Sequence, residues 1–149
     1  MSALRKIALV VIGGGSLMVG VWAQGFPRSF YDDFPGMGRV WVAVDGPFNE
    51  HLARDVGGLN LALAFVAIFA LVTGSLLVAR AAGGAALLYG GPHLLYHATH
   101  LDPFDTGDVV ALITSLTVAA LAAVLALAAP DPHGRGGRVR AAAAGPDQA

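Results

Sequence analysis

The chain has 149 residues, of which 56% are apolar and 13% charged, with a formal net charge of −1 and no cysteine. Soluble domains carry about 25% charged residues, so this deficit, concentrated in long uncharged runs, points to a membrane class. The near-neutral balance gives no electrostatic case for nucleic acid, and the missing cysteines exclude disulfides, thiolate metal sites and dithiol redox chemistry.

Residues 1–6 are short and basic, and residues 7–23 carry no charge. That run is at the lower limit for a membrane span. Two readings stand. It is a retained anchor, or a signal peptide with Arg5 and Lys6 as its basic region and Val21-Trp22-Ala23 before the cleavage point. The length of the run and Gly13-Gly14-Gly15 favour the anchor. Residues 24–53 read as a loop, with Phe26, Phe30, Tyr31, Phe34, Trp41 and Phe48 among prolines 27, 35 and 47, which break any long helix. Aromatics beside a span sit at headgroup level, so the loop is expected to pack over the mouth of a bundle.

The second span is expected at 56–79, preceded by Asn49-Glu50-His51-Leu52-Ala53-Arg54-Asp55. Arg80 is expected to mark a tight turn, with the third span at 81–101. Residues 102–108 form an acidic turn, with Pro103 and Gly107 as breakers. The fourth span is expected at 109–129. Residues 130–149, rich in Gly, Pro, Ala and Arg, read as a disordered cytoplasmic tail. The expected fold is therefore all-α: one four-helix transmembrane bundle over residues 1–129, with an extracytoplasmic aromatic-rich loop between its first two helices.

Basic residues set the orientation. With both termini inside, the inner segments carry Arg5, Lys6, Arg80, Arg135, Arg138 and Arg140, and the outer ones Arg28, Arg39 and Arg54. Six against three follows the positive-inside rule and places the chain in the cell membrane with cytoplasmic termini. Small residues recur every fourth position: Ser16 and Gly20; Ala70 and Gly74; Ala82, Ala86 and Gly90; Ala111, Ser115, Ala119 and Ala123. Such rows let helix backbones approach closely in lipid. The expected partners are the lipid bilayer and a second copy of the chain or a larger membrane complex, and no nucleic acid.

Chemistry gathers at residues 89–100. On a helix, Tyr89, His93, Tyr96, His97 and His100 share one face. In this topology His51, Glu50, Arg54 and Asp55 open the second span on the same outer side. Polar groups at such depth face the bundle interior and mark function.

Three readings compete. His93, His97 and His100, with Glu50, His51 or Asp55, have the spacing and donor set of a zinc, copper or iron site. Alternatively, they form a hydrogen-bonded polar cap, with Glu50–Arg54 and His51–Asp55 as i, i+4 pairs. The histidines can also contact haem or a quinone. Asn49 and Asn60 are supporting polar residues, Asn60 reaching across helices. Gly90, Gly91 and Pro92 are a candidate hinge, since Pro92 frees the Leu88 carbonyl and bends the axis; the plainer reading is a tolerated membrane proline. No phosphate-cradling glycine loop or GxSxG elbow occurs.

The first span followed by Phe26-Pro27, the Arg54-Asp55-Val56-Gly57-Gly58 entry and the Arg80 turn resemble the layout of DoxX-like and related four-helix integral membrane proteins of actinobacteria, over about residues 5–129. The resemblance implies a membrane partner of redox or thiol-handling complexes, and without cysteine this chain has no thiol chemistry of its own. The expected function is an accessory or ligand-binding membrane subunit with an outward-facing histidine/carboxylate pocket. The alternative is a metal- or haem-dependent oxidoreductase or hydroxylase subunit. A transporter would require an oligomer.

Overall fold

The computed structural model describes residues 1–130. His133, Arg135, Arg138 and Arg140, and the tail expected to be disordered, lie outside them. The described residues are all-α, with five helices: α1 (Ala3–Gly25), α2 (Pro27–Asp33), α3 (Glu50–Thr73), α4 (Leu76–Thr99) and α5 (Thr106–Ala128). Four are long, and each begins on a side-chain cap. Ser2, Asn49, Ser75 and Asp105 accept from the backbone amides of Arg5, Leu52, Val78 and Asp108. Such caps satisfy amides that have no partner within the helix.

The four long helices pack side by side in the order α1–α3–α4–α5, and α5 closes back on α1. Neighbours run antiparallel. Gly20 of α1 meets Leu61 of α3, while Gly13 meets Ala67 and Ile68 further along. At one end of the assembly, the buried Arg5 guanidinium donates to the carbonyls of Ala126 (2.9 Å) and Ala129, at the end of α5. A cation there satisfies orphan carbonyls and opposes the negative end of the helix dipole.

The core is built from small residues. Ala8, Ala23, Ala64, Ala67, Ala70, Ala79, Ala82, Ala122, Ala123 and Ala126 are buried, with Leu9, Ile12, Leu63 and Leu112 among them. The large apolar side chains point outward instead: Ile7, Met18, Phe65, Val72, Leu77, Leu88, Val110 and Leu121 are all exposed. Water-soluble folds place such residues inside. Small residues at the contacts and bulky ones outside are the arrangement that lipid favours. Two glycines set the closest approaches. A Cβ on Gly57 would lie 2.4 Å from the Gln24 amide nitrogen, and one on Gly83 2.5 Å from that of Leu127.

The α3–α4 reversal corrects the expected turn at Arg80. The chain turns at Gly74, which caps α3 in the left-handed region at φ 66°, and Ser75 then caps α4. Glycine adopts that backbone without a Cβ penalty, a stronger stop than one arginine. Arg80 instead lies exposed within the second turn of α4. The segment expected as a bare loop is also more ordered. Pro27 occupies the first turn of α2, where its missing N–H costs nothing. Strands β1 (Pro35–Gly36) and β2 (Arg39–Val40) then form a small hairpin through Met37 and Gly38, both at positive φ. That is the backbone a two-residue hairpin loop requires.

Three helices, α1, α3 and α5, are long and apolar enough to cross a membrane. α4 is as long as α3, but Arg80, Pro92, its histidines and its glycines dilute it.

Candidate functional site

The site is assembled at the end of the molecule opposite Arg5. α4 presents a continuous ladder of rings there. Tyr89 stacks on His93 at 5.9 Å between centroids, and His93 meets His97 edge-on at 4.8 Å. Tyr96 touches His97 at 5.4 Å and stacks on His100 at 4.2 Å, and Phe104 abuts His97 at 6.1 Å. The i, i+4 spacing produces the Tyr89–His93, His93–His97 and Tyr96–His100 contacts directly.

The loop reaches the ladder at Tyr96. A single helical turn, Ala43–Asp45, brings in Asp45, whose Oδ1 accepts from the Tyr96 hydroxyl at 3.2 Å. Asp45 is also within electrostatic reach of His93 and His97. The loop is fixed at three further points. Asp108 of α5 accepts from the Trp41 indole at 2.9 Å and from the Arg39 guanidinium. The Tyr31 hydroxyl donates to the Gly46 carbonyl at 2.6 Å. Trp22, Phe30, Phe34 and Trp41 pack edge-to-face beside them. Asp45 and Asp108 were not among the sequence candidates. Asp108 is one residue from the expected fourth span, but nothing local marks Asp45.

Below the ladder, the Asn60 amide of α3 donates to the Tyr89 hydroxyl at 3.2 Å and to the Val56 carbonyl at 2.9 Å. The expected cross-helix contact of Asn60 is thus present, with Tyr89 as its partner. Polar groups therefore descend from Asp45 at the rim, through Tyr96, His97, His93 and Tyr89, to Asn60 among the alanines.

His97 stands out within this line. It is 7% exposed, and its Nδ1 is buried with no hydrogen-bond partner. Native structures rarely leave a buried polar atom so. His93 lies on the bundle-facing stripe of α4, seven and fourteen residues from Ala86 and Ala79, yet it is exposed where Ala79 is fully buried. The stripe is covered at the Ala79 end and open at His93. The opening coincides with Pro92 and the bare backbone of Gly90 and Gly91, around which an added Cβ would find nothing within 4 Å.

The α3 candidates lie outside this line. Glu50 pairs with Arg54 at 2.9 Å, and Arg54 also donates to the Gln24 carbonyl. His51 pairs with Asp55 at 3.3 Å, with both side chains well exposed. Asn49 caps α3, and the His100 ring nitrogen bonds back to the Tyr96 carbonyl at 2.9 Å. Among the described residues, no three of His, Asp and Glu stand close enough to share a metal ion. The set His51, His93, His97, His100, Glu50 and Asp55 does not converge, because the α3 acids are satisfied along their own helix. At this rim Arg28 is paired too. Its guanidinium is held above its ordinary range by the hydrogen bond and charge of Asp32.

No protein-family model, curated protein or solved structure matches this chain.

Proposed function

We propose that this chain is a four-span membrane protein, with both termini cytoplasmic, that binds a small ligand in a loop-covered cleft at its outward end and performs no chemistry of its own. α4 is the fourth span. Leu77, Leu88 and Leu95 recur along one side of it and are exposed, Leu88 by 80%. Ala79, Gly83 and His97 line the opposite side and are buried. A helix whose apolar side faces outward and whose polar side faces in is matched to lipid. Read from the sequence, the excess of Arg and Lys in the segments assigned to the inner side, six against three with the tail arginines counted, supports the orientation. The DoxX-like layout fits an accessory role of this kind.

The observation that carries the ligand reading is the buried, unpartnered Nδ1 of His97 beside the exposed His93. Leaving such a group unmade costs about 1–3 kcal/mol, a cost that a ligand in the cleft would remove. The chain has no cysteine, so single cysteines report accessibility cleanly. In sealed vesicles, His93→Cys is expected to react with a membrane-impermeant maleimide from the outer side, and Ala79→Cys to stay unlabelled. An unreactive His93→Cys in folded protein would remove the cleft and this reading with it.

A further inference from the structure

We infer that the cleft takes a small organic cation that donates hydrogen bonds, a protonated primary amine. This rests on the ligand-binding reading above and names its ligand class. Charge decides the sign. Each arginine at this end is already committed to a carboxylate: Arg28 to Asp32, Arg39 to Asp108 and Arg54 to Glu50. Asp45 receives only the Tyr96 hydroxyl and has no cationic partner among the described residues. Asp45, the acid that touches the ring ladder, therefore carries its charge there without a counter-charge among the described residues.

The other groups suit the same ligand. Neither His93 nor His97 makes a side-chain hydrogen bond among the described residues, and a neutral imidazole offers one lone pair to a donor. Tyr89 and Tyr96 supply aromatic faces, which attract a cation within about 6 Å. An ammonium group with two or three N–H bonds can meet the Asp45 carboxylate and an imidazole nitrogen together. A quaternary ammonium cannot, since it has no hydrogen to give. A divalent metal lacks the third converging ligand.

The test uses the full chain in nanodiscs at constant ionic strength, titrated with n-butylamine hydrochloride, tetramethylammonium chloride or zinc chloride and followed by thermal unfolding. The inference predicts a saturable rise in Tm with butylamine and none with tetramethylammonium. The half-saturating amine concentration should rise at least tenfold in Asp45→Asn, a rim substitution that leaves the buried packing intact, and stay unchanged in Asp33→Asn. Equal responses to both ammonium ions, a response to zinc alone, or no response would overturn it. If His93→Cys is labelled from outside and butylamine has no effect, the cleft stands and only the ligand class is wrong.

Discussion

At the scale of single residues, the most informative side chains are those that gain a partner across the bundle. Asn60 is buried on α3, and its amide meets the Tyr89 hydroxyl. Hydrogen bonds between membrane helices contribute about 0.6 kcal/mol on average, so neither residue should decide whether the protein folds. Asn60→Leu and Tyr89→Phe are each expected to lower stability by about 0.5–1.5 kcal/mol. A double-mutant cycle in detergent should show that the two losses do not add. Fully additive losses would mean that the contact contributes nothing.

The same scale shows where sequence reading stops. Tyr89, His93, Tyr96, His97 and His100 were legible as one face, because helical spacing alone sets it. Asp45 was not, since a residue in an irregular loop acquires its neighbours only when Trp41, Arg39 and Tyr31 fix that loop on α5 and on itself. Glu50, His51 and Asp55 were read as possible ligands because they share a level with the histidines. Each is instead satisfied or exposed within its own turn.

At the scale of elements, close backbone approach holds the helices together. Gly57 and Gly83 occupy positions where a Cβ would overlap the facing backbone, whereas Gly84 faces open space. Gly57→Ala and Gly83→Ala are expected to cost about 1–3 kcal/mol each, the range for forcing extra volume into a packed contact. Gly84→Ala is expected to be neutral or to stabilise by up to about 1 kcal/mol through helix propensity. Unfolding in a graded detergent series measures all three, and equal effects would refute tight packing at Gly57 and Gly83. The small-residue rows marked this mode of packing from sequence, but not which glycine lies at each crossing. The α3–α4 reversal was misplaced for a related reason. Arg80 was the only charge between two apolar runs, yet backbone conformation, not charge, sets the turn, and Gly74 followed by Ser75 supplies both a stop and a start.

At the scale of the whole molecule, the outside is bulky and apolar, the inside is small, and polar side chains gather toward the two ends, most densely where α4 carries its histidines. Composition makes α4 the least membrane-like of the long helices, yet its two sides differ sharply. Averaging over the helix conceals that difference, which is why three helices and not four pass on length and apolarity. The proposed four-span arrangement assigns the leucine side to lipid and the histidine side to the ligand cleft. The direct measurement is the collision accessibility of spin labels placed singly at Leu88→Cys and His93→Cys in nanodiscs. The label at 88 should be reached by dissolved oxygen and shielded from a water-soluble nickel relaxant, and the label at 93 should be open to the nickel complex. If position 88 is as open to the nickel complex as position 93, α4 lies outside the bilayer, and both the fourth span and the cleft beside it are contradicted.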